Sequence, residues 1–265
     1  MEAVIYEQAP PFSRVGAAIQ LTPNAVRVLR GLGIEERLRT RSFIPDVGYN
    51  RDWKSGEVTF LHPMGKQTEE RYGAPDLSMH RAELHGALAS LVPEQNICFG
   101  RTLVGFDRVA DGVRLDFSDG EQIVVDALIG ADGIHSVVRN QVFNPDPPRP
   151  SGYVAWRGMV AAEDAAHLGI ERQSIAVMGP RQSMVIYYVS GGAKINWVAI
   201  GASDDELRES WSQTASKADL QKSFEGWHAH PRGLVDLTEA LFVTALHDRE
   251  PLPSWVHGRI ALMGD

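Results

Sequence analysis

The residues of this 265-residue chain with the clearest chemical potential stand at turns that close short apolar runs. Glu7 ends the run Ala3 to Tyr6. An acidic side chain at the carboxyl end of the second strand of a dinucleotide fold accepts hydrogen bonds from ribose hydroxyls. A Glu after any strand can equally be a solvated loop residue. Arg14 stands beside Val15-Gly16-Ala17-Ala18-Ile19, where small residues let backbone come close to a ligand. Arg81, in His80-Arg81-x-x-Leu84, opens a helical stretch where an anion would also meet the helix dipole. The apolar run Ala127 to Gly130 ends in Asp132-Gly133, and the next turn opens a helix with Ser136 and Arg139 in reach. Taken singly these are a loop Arg, a surface helix Arg and a strand-to-helix turn. Their order in one chain is the signal.

Other chemistries are poorly supported. A dinucleotide fingerprint G-x-G-x-x-G would lie roughly 20 residues before the acidic residue, and only six residues precede Glu7. Gly31-Leu32-Gly33-Ile34-Glu35-Glu36 lacks the third glycine and follows a helix, so it reads as a helix stop. The nine histidines form no H-x-x-x-H pair and Cys98 is the only cysteine, which gives no case for a metal. No G-x-S-x-G supplies a serine nucleophile. With 26 Lys+Arg against 34 Asp+Glu, the net charge of −8 makes nucleic acid and anionic membrane poor partners. A lone cysteine permits no intrachain disulfide and suits a reducing, cytoplasmic setting. No apolar run approaches a membrane-spanning length, and Met1-Glu2-Ala3-Val4 does not begin a secretory signal.

The elements that must position these residues alternate in type. Ala3 to Tyr6 reads as a buried strand. Thr22-Pro23 supplies an N-cap and a first-turn proline for a helix carrying Val26, Leu29 and Arg30. Asp46 to Pro75 is irregular, with strand-like pieces around Val58 to Leu61. A second helix starts near His80-Arg81, with Leu84, Ala87, Leu88 and Leu91 at helical spacing. Ile97 to Phe99 is a short strand. Thr102 to Val125 reads as three alternating strands joined at Asp111-Gly112 and Asp119-Gly120. The Pro-rich stretch Asn144 to Pro150 is the clearest linker. Strands follow at Tyr153 to Val160, Ile175 to Met178, Met184 to Val189 and Ile195 to Ile200, then two or three helices over Asp204 to Ala240. A last short strand covers Arg259 to Met263. Strand-helix units carrying an antiparallel insert indicate an α/β nucleotide-binding domain with a second, β-rich domain.

In this order the motifs resemble those of the class A flavoprotein aromatic monooxygenases, especially the salicylate hydroxylase and hydroxynicotinate monooxygenase branch. The matching segments are Tyr6-Glu7-Gln8-Ala9-Pro10, Gly16 to Ile19 with Thr22-Pro23-Asn24-Ala25, and His80-Arg81-x-x-Leu84. They continue with Gly130-Ala131-Asp132-Gly133-Ile134-His135-Ser136-x-x-Arg139, Ala155-Trp156-Arg157-Gly158, and Gly258-Arg259 to Gly264-Asp265. The resemblance implies an FAD-binding, Rossmann-like domain of the glutathione-reductase type at 1–45, 77–148 and 257–265. A β-rich substrate domain would be inserted at 46–76 and 149–256. It implies FAD as cofactor, NADH or NADPH as co-substrate, molecular oxygen, and a small aromatic substrate such as a hydroxybenzoate or hydroxypyridine. Glu7 would hold the adenosine ribose. Arg14 or the adjacent loop backbone, with Arg81, would lie along the ribityl and pyrophosphate, Asp132, Gly133 and Arg139 would serve FAD and the nicotinamide nucleotide, and Asp265 would contact the ribityl chain. Trp156, Arg157 and Tyr187 fall on strands that wall the substrate cavity, with Tyr187 the catalytic candidate. Simple strand packing is the competing account of Tyr187-Tyr188.

The departures from the family are specific. Against the family pattern, the chain starts after the first strand and glycine turn and stops before the segment that follows Gly-Asp, so the fold is expected to be incomplete at both termini. Ser183 stands four residues before Tyr187, where the hydroxynicotinate branch has a His. The rivals are a non-catalytic fragment or degenerate paralogue without a competent flavin site, and a plain NAD-dependent dehydrogenase. The latter is weakened by the absent glycine fingerprint and the antiparallel insert.

Overall fold

The computed structural model describes residues 2–10, 18–143, 146–202 and 216–264. The chain gathers into two compact units. One comprises Met1–Ser13, Val92–Ser151 and His247–Asp265; the other, larger one comprises Arg14–Leu91 and Gly152–Leu246.

The larger unit is built on a seven-stranded sheet. Its strands run in the order Phe242–Asp248, Arg149–Ala161, Lys194–Ala202, Gln182–Val189, Ser174–Gly179, Val47–Asp52 and Val58–Pro63. Period-two alternation sorts the side chains of its central strands to two faces. Ile175, Val177, Met184, Ile186, Tyr188, Ile195, Trp197 and Ala199 share one face. There they pack with Leu220, Phe224, Trp227, Leu234 and Val235 from helices Lys217–Ser223 and Ala229–Leu237 and the turn between them. Trp197 fits this core because Gly158, its cross-strand partner, has no side chain. A Cβ at Gly158 would lie 2.4 Å from the indole. The indole Nε1 donates to Thr238 Oγ1 at 2.9 Å, so the buried ring leaves no polar atom unsatisfied.

A second cluster in the same unit joins helices Pro23–Gly31 and Glu35–Arg39 to the antiparallel strands Ala18–Leu21 and Leu77–His80, through Val26, Leu29, Leu38, Leu77 and Met79. The helix begins as expected, with Thr22 at the N-cap and Pro23 in the first turn. The Thr22 hydroxyl does not accept from the helix, however, but donates to Asn24 Oδ1.

The smaller unit contains two parallel pairings: Ile5–Glu7 beside Ile97–Phe99, and Leu128–Gly130 beside Ile260–Leu262. Leu103–Val109, Gly112–Phe117 and Gln122–Val125 form the expected three-stranded antiparallel sheet. Phe106, Val113, Leu115 and Phe117 pack with Val138 and Ile260 in this unit's core.

Three expectations need correction. Asp46 to Pro75 is regular, with two paired strands and the helix Gly65–Tyr72. The strand Val47–Asp52 was obscure because it carries Gly48, Asn50, Arg51 and Asp52 where alternation should show apolar residues. Residues 144–145 of the linker lie outside the described residues, while Arg149 and Pro150 already belong to a 13-residue strand. Phe242–Asp248 is a further strand that sequence patterning did not reveal. Among the described residues, no helix is long and apolar enough to cross a membrane, and no group of three or more His, Cys, Asp or Glu could hold a metal.

Candidate functional site

In the smaller unit, the parallel strands Leu128–Gly130 and Ile260–Leu262 deliver their carboxyl ends to one cleft, the position where open parallel sheets bind ligands. The cleft is lined by Gly130, Asp132, Gly133, Ser136, Arg139 and Gly264 on its polar side, with Leu252, Trp255, Leu262 and Met263 completing it. The enclosed space is small, about 30 Å³, so the cleft is a shallow groove rather than a closed cavity.

Local chemistry explains the shape. A Cβ on Gly130 would lie 2.7 Å from Val138 Cβ, so only glycine lets the following helix, Val137–Val142, close onto the strand. Asp132 fastens that helix by accepting from the Ser136 hydroxyl and, at 3.2 Å, from the Val138 amide. Ser136 Oγ in turn accepts the Arg139 amide at 2.9 Å as the helix N-cap. Arg139 Nη2 donates to the Glu250 carbonyl at 2.9 Å, while its buried Nε has no partner. Gly133 and Gly264 have φ of 75° and 80°, and nothing lies within 4 Å of where their Cβ atoms would be. Their backbone is therefore open to close approach.

A second polar arrangement lies in the larger unit, on the face of the seven-stranded sheet opposite its apolar core. Tyr187 pairs with Asn196, and Asn196 with Met159. The register that pairs Ile175 with Ile186 sets Ser174 beside Tyr187. Ser174 is aligned with Gly48, and Gly48 with His62, whose imidazole fills the space above that glycine. Gln20 reaches this row from another strand, its Nε2 donating to Ser174 Oγ at 3.0 Å. Arg157 shares the face and donates to Thr244 Oγ1 at 3.0 Å. Burial pushes the Tyr187 phenol up to about 12, with the positive charge of Arg157 pulling the other way. Burial also lowers Arg157, and Tyr187 opposes that.

Asp132, Gly133 and Arg139 thus meet in one cleft. Glu7 ends its strand in the same unit but is not among the residues lining that cleft, and its Oε1 accepts the Ala9 amide at 2.8 Å. Arg81 belongs to the larger unit, at the start of the helix Arg81–Ala89. Arg14 and Asp265 lie outside the described residues. Arg157 and Tyr187 share a face, but Trp156 does not join them: alternation turns it to the opposite side, against the apolar core. Sequence reasoning missed Gln20, Ser174 and Asn196, which no motif marks and only sheet register brings together. It also missed the apolar lining from Leu252 and Trp255.

A family model described as an FAD binding domain matches residues 1–265. The chain is 34% identical over 264 residues to a 6-hydroxynicotinate 3-monooxygenase of Bordetella bronchiseptica, covering 98% of this chain and 68% of the relative. It is 36% identical over 261 residues to a 3-amino-4-hydroxybenzoate 2-monooxygenase of Streptomyces cremeus, covering 98% and 65%. Among solved structures, Klebsiella pneumoniae HpxO complexed with FAD and uric acid matches with a TM-score of 0.85 at 28% identity, over 98% of this chain and 65% of that one. The chain spans about two thirds of the length of these relatives. The chain therefore belongs to the FAD-binding family of flavin-dependent aromatic monooxygenases.

Proposed function

We propose that this chain carries the nucleotide cradle and the aromatic-binding sheet of a monooxygenase that places one oxygen atom of O₂ on a small aromatic ring. NADH or NADPH would provide the electrons. The carrying observation is the convergence of Asp132, Gly133, Arg139 and Gly264 on one cleft at the carboxyl ends of two parallel strands. Those residues fit an FAD portion, since two open glycines admit it and an unpartnered Arg139 Nε faces no competing acceptor. Bound FAD supplies electron transfer and oxygen activation. The chain's own part is to bind, orient and exclude water. Asp132 holds the cradle's helix in place, Arg139 brings positive charge, and Tyr187 orients a hydroxyl of the ring by hydrogen bonding. As a buried phenol it stays neutral through the physiological range, so it positions that hydroxyl rather than taking its proton outright. Relatives named for hydroxynicotinate and aminohydroxybenzoate support a small ring bearing oxygen substituents. The lone Cys98 is a free thiol, in keeping with a reducing, cytoplasmic setting.

The test is Asp132→Ala. Two hydrogen bonds to the carboxylate are lost, so FAD retention is expected to fall roughly tenfold or more, and flavin reduction by NAD(P)H to slow. Flavin content and stopped-flow reduction rates equal to the parent's would overturn the assignment.

A further inference from the structure

Asn196 is unusual among the residues of the polar row. It is 3% exposed, yet its side-chain Nδ2 has no hydrogen-bond partner. A buried amide donor is costly to leave unmade, and native structures retain few of them without a use. Nothing in the apolar core requires an amide here. Ile195 and Trp197, its neighbours in sequence, fill the opposite face of the same strand, and a leucine would suit a site this dry. Asn196 is instead the cross-strand partner of Tyr187, itself 5% exposed, on the face that also carries Arg157. Tyr187, Asn196 and Arg157 therefore bring a phenol, a carboxamide and a guanidinium, all able to donate hydrogen bonds, to this face. Among the described residues no carboxylate belongs to this row, which also includes Ser174, Gln20 and His62. A group rich in acceptor lone pairs and carrying negative charge complements that set.

We propose that Asn196 is a specificity-determining residue: its Nδ2 donates a hydrogen bond to a carboxylate oxygen on the aromatic ring held beside Tyr187. This rests on the reading of the sheet as the surface for an aromatic acid of the hydroxybenzoate or hydroxynicotinate kind, after which the relatives are named, and extends it by naming the residue that reads the carboxylate. That carboxylate supplies the acceptor that the folded chain withholds from Asn196 Nδ2.

The experiment measures binding by the FAD-loaded protein of 4-hydroxybenzoate and of 4-hydroxybenzyl alcohol, which has the same ring and hydroxyl but no carboxylate. Binding is read by calorimetry. Asn196→Leu is expected to weaken the acid about 10- to 100-fold, as loss of a hydrogen bond to a charged group does, and to change the alcohol by less than about 2-fold. Because the variant removes an unsatisfied buried donor, its ligand-free thermal midpoint should match or exceed the parent's. A purely structural asparagine would give the reverse pattern, with a lowered midpoint and an unchanged ratio of acid to alcohol affinity, and that result overturns the proposal. Asn196→Asp provides a second route should the leucine variant not fold. It keeps the shape, replaces the donor with negative charge, and must bind the acid more weakly still. If the parent itself binds neither compound, nor a hydroxynicotinate or a 2-hydroxybenzoate tried in the same way, the aromatic-binding reading of the sheet falls. Parent binding with an unaffected Asn196→Leu removes only the role of Asn196.

Discussion

Tyr187 shows how burial fixes what a side chain can do. Held up to about 12, the phenol presents a hydroxyl and not a phenolate at any working pH. Tyr187→Phe should therefore keep FAD while hydroxylating poorly. More hydrogen peroxide should be released per NAD(P)H consumed, because a ring without its hydrogen bond is badly oriented for oxygen transfer. Unchanged coupling between NAD(P)H oxidation and product would remove Tyr187 from the site. The same burial has a thermodynamic signature. A group whose folded value lies above its unfolded value near 10 stabilises the fold fully below pH 10, and that contribution is lost as pH rises toward 12. For Tyr187 the loss is on the order of 3 kcal/mol. Between pH 10 and 12, urea denaturation should show the parent losing more stability than Tyr187→Phe; parallel losses would show that the phenol is not so buried. Of the site, what sequence made legible was whatever sits in a contiguous motif. Asp132, Gly133, Ser136 and Arg139 span one turn and one helix start, so spacing alone brings them together. Gln20, Ser174 and Asn196 come from three separate strands, and nothing local to any of them announces the row they form.

At the scale of elements, the helix Ala229–Leu237 is fastened by an N-cap that is also titratable. His228 Nδ1 accepts the His230 amide at 3.4 Å, and the ring lies against Gly56. Burial lowers His228 to about 4, with His230 and Arg51 adding to the shift while Asp52 and Glu171 oppose it. His230 is lowered too, chiefly by burial. A depressed folded value means that the unfolded chain binds the proton first. Stability is then complete above about pH 6.5 and declines as pH falls toward 4. His228→Asn keeps a good capping residue and removes the titration. It should lose less stability than the parent between pH 7 and 4, by about 1 kcal/mol after allowance for solvent screening. Superimposable acid profiles would place the sensitivity elsewhere. The elements themselves were read from sequence wherever alternation or turn chemistry was strong, as in the hairpins from Leu103 to Val125 and the strands around Met184 to Ile200. They were missed where a strand trades apolar positions for packing space. Gly48 in Val47–Asp52 leaves room for His62, and the glycine that makes the pairing possible also erases the pattern that would betray it. Length was misread for a related reason. Arg149 and Pro150 look like linker, yet they begin the strand that continues to Ala161, with Pro150 near the strand's start, where a missing amide is tolerated.

At the scale of the whole molecule, the surface carries a consequence of the parallel pairings in the smaller unit. Short apolar runs such as Val4-Ile5-Tyr6 and Leu128-Ile129-Gly130 are the pattern of strands covered on both faces. Here each is covered on one. Tyr6 turns inward to meet Phe117, ring centroids 4.9 Å apart, while Ile5 is 47% exposed and Ile129 is 62% exposed. Ile5–Glu7 pairs only with Ile97–Phe99, and Leu128–Gly130 only with Ile260–Leu262, so among the described residues each strand leaves its other edge without a pairing strand. Apolar side chains beside an unpaired edge are a template for association between copies. Placing Lys at both positions, as Ile5→Lys with Ile129→Lys, is expected to suppress concentration-dependent aggregation of the 265-residue chain, followed by light scattering across a dilution series. Stability should shift by no more than about 0.5 kcal/mol per site, the range for exposed substitutions. The two readouts discriminate. Aggregation equal to the parent's would show that these edges are not the route of association. A loss of about 2 kcal/mol or more would show that Ile5 and Ile129 are buried in the protein as it folds, since burying an unpaired ammonium against apolar surface carries a penalty of that size.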